Sequence, residues 1–406
     1  MYRVSPFVRH FARALFGGAG LATLWVNLSP ATYYDFIEFR LLEWAMPAWL
    51  AEGTLIVTPL RLVTDGLMSL FLFFIGKELW EALVLDRGAL AGRRALLPAG
   101  AVLGGIVGAV AFWILWGAAT GADDGAGVTT GWVVPVGSDV VICYVLGRVI
   151  FGAGHAALHL LLLITIAFDI AGLVLLGLTH AGGGLRFLWL LVVIAAVFGV
   201  WKLYGAPPPA GVSEARRRRG LALWPYVVAG IASWFGMAAA GMPPALGLLP
   251  VIPAIPHADR AFGLFAEAEE YLHDPLNRLA HALVKPVAVV LFLFGLTRGG
   301  VDLTAFAPVT STVLVALWIG KPLGLLTGAL VAMLAFRLYP PPGVSLRDLA
   351  VLAAISGTGF TVPVLAIDSA LPAGLMAEGT RLGLALSLLA GPAALLLARL
   401  VRRKKH

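Results

Sequence analysis

Residues 131–147 read GWVVPVGSDVVICYVLG, and residues 159–177 read HLLLLITIAFDIAGLVLLG. Each is an apolar run long enough for most of a bilayer crossing, and each carries one carboxylate, Asp139 or Asp169. Residues 317–328, LWIGKPLGLLTG, hold one ammonium, Lys321, in the same setting. A charge at the bilayer centre costs roughly 3 kcal/mol on insertion scales, so it persists only where it is paired, hydrated or used. Two lone aspartates and one lone lysine at membrane depth point to an ion path.

The surrounding composition agrees. The 406-residue chain is 60% hydrophobic and 13% charged, whereas a soluble domain is about 25% charged. Mean hydropathy is +0.92. Such a chain cannot cover a water-facing surface, and it has room for about ten to thirteen membrane helices. No segment is polar and long enough for a separate soluble domain, so residues 1–406 read as a single transmembrane unit. The formal charge of +7 would suggest nucleic acid in a soluble protein. Here the bases flank spans and read as topology, with the lipid bilayer as partner and no nucleic acid. The lone Cys143 excludes an intrachain disulfide. His155, His159, His180, His257 and His281 form no metal-ligand pattern. No nucleophile–base set and no nucleotide motif stands out, so neither an enzyme nor a cofactor is expected.

Apolar periodicity and length place spans at 11–29, 58–85, 95–117, 131–147, 154–178, 184–204, 222–239, 242–256, 278–297, 306–337, 348–370 and 377–400. The N-terminal bases Arg3, Arg9 and Arg13 before an apolar run mimic a signal peptide. No small-residue cleavage site follows, so the run reads as a retained first helix. Segment 30–57, with Asp35, Glu38, Glu43 and Trp44, is too polar to span and reads as an interfacial piece or a short hairpin. Residues 205–220, GAPPPAGVSEARRRRG, form a stiff Pro/Arg-rich linker between halves 1–204 and 221–406. With an even span count, Arg13, Arg93, Arg94, Arg148, Arg216 to Arg219, Arg337, Arg347 and Arg402 all fall on one side. Loop 118–130 opposite has Asp123 and Asp124 and no base. Both termini are then cytoplasmic.

Two spans are interrupted, 131–147 by Pro135, Gly137, Ser138 and Asp139, and 348–370 by Gly357, Thr358, Gly359 and Pro363. Backbone groups freed at membrane depth must line a cavity or be buried in protein. Broken helices at corresponding places in two halves mark a transporter's midplane site.

At these residues the chain resembles the NhaA sodium/proton antiporters, nearly end to end. TDGLMSLFLFFIGKELWEAL (64–83), GWVVPVGSDV (131–140), TIAFDIAG (165–172), IGKPLGLL (319–326) and SGTGFTVPV (356–364) carry the likeness, in order and at the right spacing. The resemblance implies an all-α polytopic membrane protein of about 12 transmembrane helices. Its inverted repeats would relate spans three to five to spans ten to twelve, with two discontinuous helices crossing at the midplane. It also implies exchange of Na+ (or Li+) for H+ across a bacterial inner membrane by alternating access, and a homodimer mediated by 30–57. The family's paired aspartates are Phe168 and Asp169 here, so the first is missing and Asp169 inherits the central role.

Asp169 is therefore expected to bind cation and proton in competition, hard cations preferring oxygen. Asp139 would complete the ion's shell or neutralise a half-helix end, and the same residue is a good N-cap. Lys321, lacking its usual aspartate, is expected to pair with Asp169 or Asp139. If it releases its proton when the cation binds, two protons exchange per ion; if it stays charged, one does. Ser138, Thr358 and Thr361 offer hydroxyl oxygens, and Phe168 narrows hydration beside Asp169. Asp65, Glu78 and Glu81 read as a cytoplasmic funnel, with Lys77 and Glu78 on different helix faces. Glu267, Glu269, Glu270, His273, Asp274 and His281 stand, in no fixed register, where the family carries an acid/histidine cluster. Lys285 and Asp368 have no family counterpart. A K+/H+ exchanger, a proton-coupled transporter of another solute and a non-transporting membrane protein remain the alternatives.

Overall fold

The computed structural model describes residues 5, 7–45, 54–85, 92–121, 127–180, 184–206, 220–257, 265, 272 and 274–402. Helix α1 (Phe7–Leu28) leads into a short helix α2 (Pro30–Ile37) and an antiparallel hairpin, β1 (Leu42–Ala45) with β2 (Thr54–Val57), pairing Leu42 with Val57. The hairpin decides between the two readings of 30–57. Then come α3 (59–84), α4 (Leu96–Ala119), α5a (Gly131–Val136), α5b (Val140–Phe151) and α6 (Ala156–Thr179). These are followed by α7 (Phe187–Gly205), α8 (Trp224–Ala240), α9 (Pro244–Ala254) and α10 (Pro275–Arg298). The last are α11 (Pro308–Phe336), α12a (Leu346–Ser356), α12b (Thr361–Ala370) and α13 (Leu375–Leu400). The fold is an all-α polytopic membrane bundle, and every segment read as a span is helical.

Among the described residues, seven helices are long and apolar enough to cross a membrane, and the pair α12a/α12b, bent by 46°, makes an eighth. Three of the others fall short for visible reasons. Helix α3 carries Asp65, Lys77, Glu78 and Glu81, and α8 has 17 residues. Helix α9 corrects the reading of 242–256 as an ordinary span. It is an 11-residue 3-10 run containing Pro250 and Pro253, whose missing N–H groups prevent regular α-helix. Both predicted interruptions are real, at 137–139 and 357–360.

Glycines set the closest approach. Gly100, Gly104 and Gly108 of α4 face Gly328, Gly324 and Gly320 of α11, antiparallel, and a Cβ on any of them would strike the partner's backbone or a side chain. Such small-residue ladders let membrane helices meet at the backbone, where van der Waals packing and not hydrophobicity holds them. Gly18 of α1 and Gly295 of α10 do the same for that pair. On the hairpin side, the Tyr33 hydroxyl donates to the Leu296 and Thr297 carbonyls at the end of α10, 3.2 Å each. Burial pushes that phenol up to about 12, which keeps it a donor.

The linker's residues 207–219 lie outside the described residues, as do Glu267, Glu269, Glu270 and His273. Of that cluster, Asp274 caps α10 through the Asn277 N–H at 3.2 Å.

Candidate functional site

The interruptions of α5 and α12 meet at the ends of their half-helices. Each half-helix presents about half a positive charge at its N-terminus and half a negative one at its C-terminus. Asp139 serves both N-termini: Oδ1 accepts from Ile142 N at 2.8 Å and Oδ2 from Thr361 N at 3.1 Å. The N-cap that the sequence suggested for one helix is thus a shared cap for two. Losing a single cap costs about 0.5–2 kcal/mol. Asp139→Ala, which strips two at full burial, should lower the melting midpoint more than an exposed cap variant such as Ser345→Ala on α12a.

Lys321, which opens the second α-helical stretch of α11 after the π-helical turn 316–320, serves the opposite pole. Its Nζ donates to the Gly137 carbonyl at 2.5 Å and the Pro135 carbonyl at 3.4 Å, where α5a ends. The expected ion pair with Asp169 or Asp139 is not formed: no carboxylate among the described residues lies within 4.0 Å of that nitrogen. The ammonium sits instead over the ring of Phe168, 4.5 Å from its centroid. A desolvated cation–π contact of this kind is worth about 2 kcal/mol. The ring is fully buried against Gly105 of α4, where a Cβ would come within 2.5 Å of it. Phe168 and Gly105 form a matched pair, which pairwise spacing in the sequence does not reveal.

Asp169 projects from mid-α6. Its Oδ1 accepts from Ser138 N at 2.7 Å, while Oδ2 is buried with no hydrogen-bond partner. Ser138 Oγ and Thr361 Oγ1 are buried and unpartnered in the same way. Leaving such groups unsatisfied costs about 1–3 kcal/mol each, and these three oxygens belong to residues at or beside the two interruptions. Thr358 is already engaged, donating to the Ile355 carbonyl at 3.0 Å and lying 3.3 Å from Cys143 Sγ. Ser387 of α13 serves the second break, accepting from Gly359 N at 3.1 Å. Nothing in its apolar surroundings flagged it.

Asp65, Glu78 and Glu81 do not form one funnel. Asp65 lies 13 residues from Glu78 along α3, roughly 20 Å at 1.5 Å per residue, and lines a cavity with Arg298 and Asp368. At the other end Lys77 Nζ pairs with Glu78 at 3.1 Å and Glu81 at 3.0 Å. The adjacent Lys77 and Glu78 therefore do meet, because the flexible lysine stem folds back along the helix. Glu78 also accepts from Phe265 N at 2.5 Å, and Phe265 O accepts from Ser5 N at 2.6 Å, so this end is closed into a network.

Crossed broken helices around buried, opposite charges define a membrane transporter of small ions. The sequence model of the family described as Na+/H+ antiporter 1 matches residues 10–398. The chain is 38% identical to the Na+/H+ antiporter NhaA of Jannaschia sp. (strain CCS1), over the full length of both. It is 31% identical to NhaA 2 of Pelobacter propionicus, over 98% of each chain. With NhaA of Geotalea uraniireducens it shares 30% identity, over 98% of this chain and 97% of that one. The chain belongs to the Na+/H+ antiporter 1 family.

Proposed function

We propose that this protein exchanges Na+ (or Li+) for H+ across the bacterial inner membrane, with Asp169 taking cation and proton in turn. The unpartnered Oδ2 of Asp169 carries the reading. It is a fully buried carboxylate oxygen with two hydroxyl oxygens nearby, the ligand chemistry a hard monovalent cation wants. Asp139 spends both oxygens on half-helix ends, so its role is to hold the crossing and supply field. Alternating access follows from motion of the crossed half-helices with α4, α6, α11 and α13 against the remaining spans. Residues 1–406 act as one unit whose halves join through 205–220, with both termini cytoplasmic. Leu41, Leu42 and Trp44, exposed on the hairpin, support pairing with a second copy there.

Lys321 rests on carbonyls and an aromatic ring that no arriving cation needs to displace. One proton per cation, an electroneutral exchange, is therefore the stoichiometry proposed. Phe168→Asp would return a titratable partner to Lys321, and charge movement should appear: cation gradients should then generate a membrane potential in proteoliposomes. Unchanged affinity, pH profile and electroneutrality would make position 168 incidental.

The exchange itself is tested in everted vesicles by adding Na+, Li+ and K+ separately and following proton release. Release by Na+ or Li+ supports the reading. Release by K+ alone moves the cargo to potassium, and silence with all three, in inserted protein, removes antiport altogether.

A further inference from the structure

We infer that Arg298, Asp368 and Asp65 form an ion-pair exchange gate on the outer approach to Asp169, a reading that rests on the antiport proposed above. Arg298 holds Asp368 while the approach is shut and passes to Asp65 when it opens.

The pair bridges two groups of helices. Arg298 ends α10, which lies against α1 and α3, whereas Asp368 belongs to α12b, which lies against α5a, α6 and α13. Arg298 donates through Nη1 to Asp368 Oδ2, and its Nη2 reaches Thr64 Oγ1 of α3 at 3.4 Å. The other carboxylate oxygen, Oδ1, accepts from Arg381 Nη2 at 3.0 Å, and Arg381 pairs with Glu378 at 2.5 Å. Asp368 thus keeps a cation from its own side of the boundary if Arg298 leaves.

Two cavities share this pair. One, about 210 Å³, is lined by Asp65, Arg298 and Asp368 and reaches Leu173 and Leu365. Those two residues stand one helical turn past Asp169 and Thr361 respectively, so this cavity abuts the ion seat. The other, about 340 Å³, is lined by Tyr34, Gly300 and Gly374 together with Arg298 and Asp368. It lies toward α2 and the connecting loops at the arginine-poor face. Arg298 and Asp368 lie between outside and seat.

Asp65 supplies the second position. It sits on α3, the neighbour of α10, and lines the same inner cavity as Arg298. Arg298 Nε is buried with no hydrogen-bond partner, so its guanidinium is only partly used in this state. A buried arginine cannot shed its proton, and separation without a second acceptor would leave an uncompensated charge. Asp65 removes that barrier, leaving two arrangements close in energy, as a gate requires.

The test needs no transport. A Met242→Cys thiol lines the inner cavity and is probed with a membrane-impermeant maleimide added outside right-side-out vesicles; the parent without it reports on Cys143. Asp368→Asn should speed labelling about tenfold by releasing Arg298, and Asp65→Asn should slow it by a similar factor. Asp368→Glu, which keeps the pair, should label near the parent rate. A merely structural role for these residues does not move the two neutral variants in opposite directions. Equal rates, or shifts of the same sign, overturn the gate. Absence of cation-driven proton release in the parent would sink the antiport reading and leave these rates to be judged on their own.

Discussion

Asp169→Asn should reduce Na+-driven proton release to the background of empty vesicles while leaving the protein folded. The substitution is nearly isosteric and keeps an oxygen for the Ser138 N–H, now at 2.7 Å. It removes the negative charge and the proton-binding capacity together. A neutral amide neither attracts a dehydrated cation nor exchanges a proton for it, so both half-reactions stop. The melting midpoint in detergent should hold or rise, because an ionised carboxylate no longer has to be kept in a fully buried position, a state costly without full pairing. Retained release with an ordinary cation affinity would place the site elsewhere. Loss of release with a collapsed midpoint would mark Asp169 as structural.

Gly324→Val should be more damaging to the folded protein than a change at Asp169. A Cβ at Gly324 would fall onto the Gly104 carbonyl oxygen and within 2.9 Å of the Gly108 Cα. Both neighbours are backbone, so no side chain can swing aside. Overpacking costs about 1–3 kcal/mol where a core can adjust, and more where it cannot. Here α4 and α11 would have to separate, carrying Gly105 away from Phe168 and Lys321 away from the Gly137 carbonyl. Expression as monodisperse folded protein should fall sharply. Leu323→Val on the same helix, at a side chain 50% exposed, should shift the midpoint little, within about 0.5 kcal/mol. A Gly324→Val protein that melts and transports normally would show that the glycine ladder is not the contact holding these helices.

Much of the candidate site was legible because it broke the rules of its surroundings. Asp139, Asp169 and Lys321 stand out in apolar runs by the cost of charge there. The Gly/Pro clusters stand out by the helix ladder they interrupt. The glycine ladder was equally present, at four-residue spacing in both 100–108 and 320–328, but a one-helix reading gives no reason to join segments so far apart. The pairing of charges was not legible. Asp65 and Glu78 share one helix and look like one group until their distance along it is counted. Lys77 and Glu78 look misplaced for each other by spacing alone, yet the lysine stem brings Nζ to 3.1 Å from the carboxylate. Asp368 had no family counterpart to suggest a role, and its contact with Arg298 is made only across the bundle.

The sequence by itself determined the membrane class, most of the helical segments, the two interruptions and the residues whose charge demands use. These follow from local terms, namely transfer cost, helix periodicity and the missing hydrogen bonds of Pro and Gly. Only the tertiary structure decided who answers each charge. Asp139 caps two half-helices at once, Lys321 takes the carbonyl end of α5a and the Phe168 ring in place of an aspartate, and Asp169 keeps one oxygen free. Electrostatic partners are chosen by distance and direction in a low-dielectric interior, and chain order alone encodes neither.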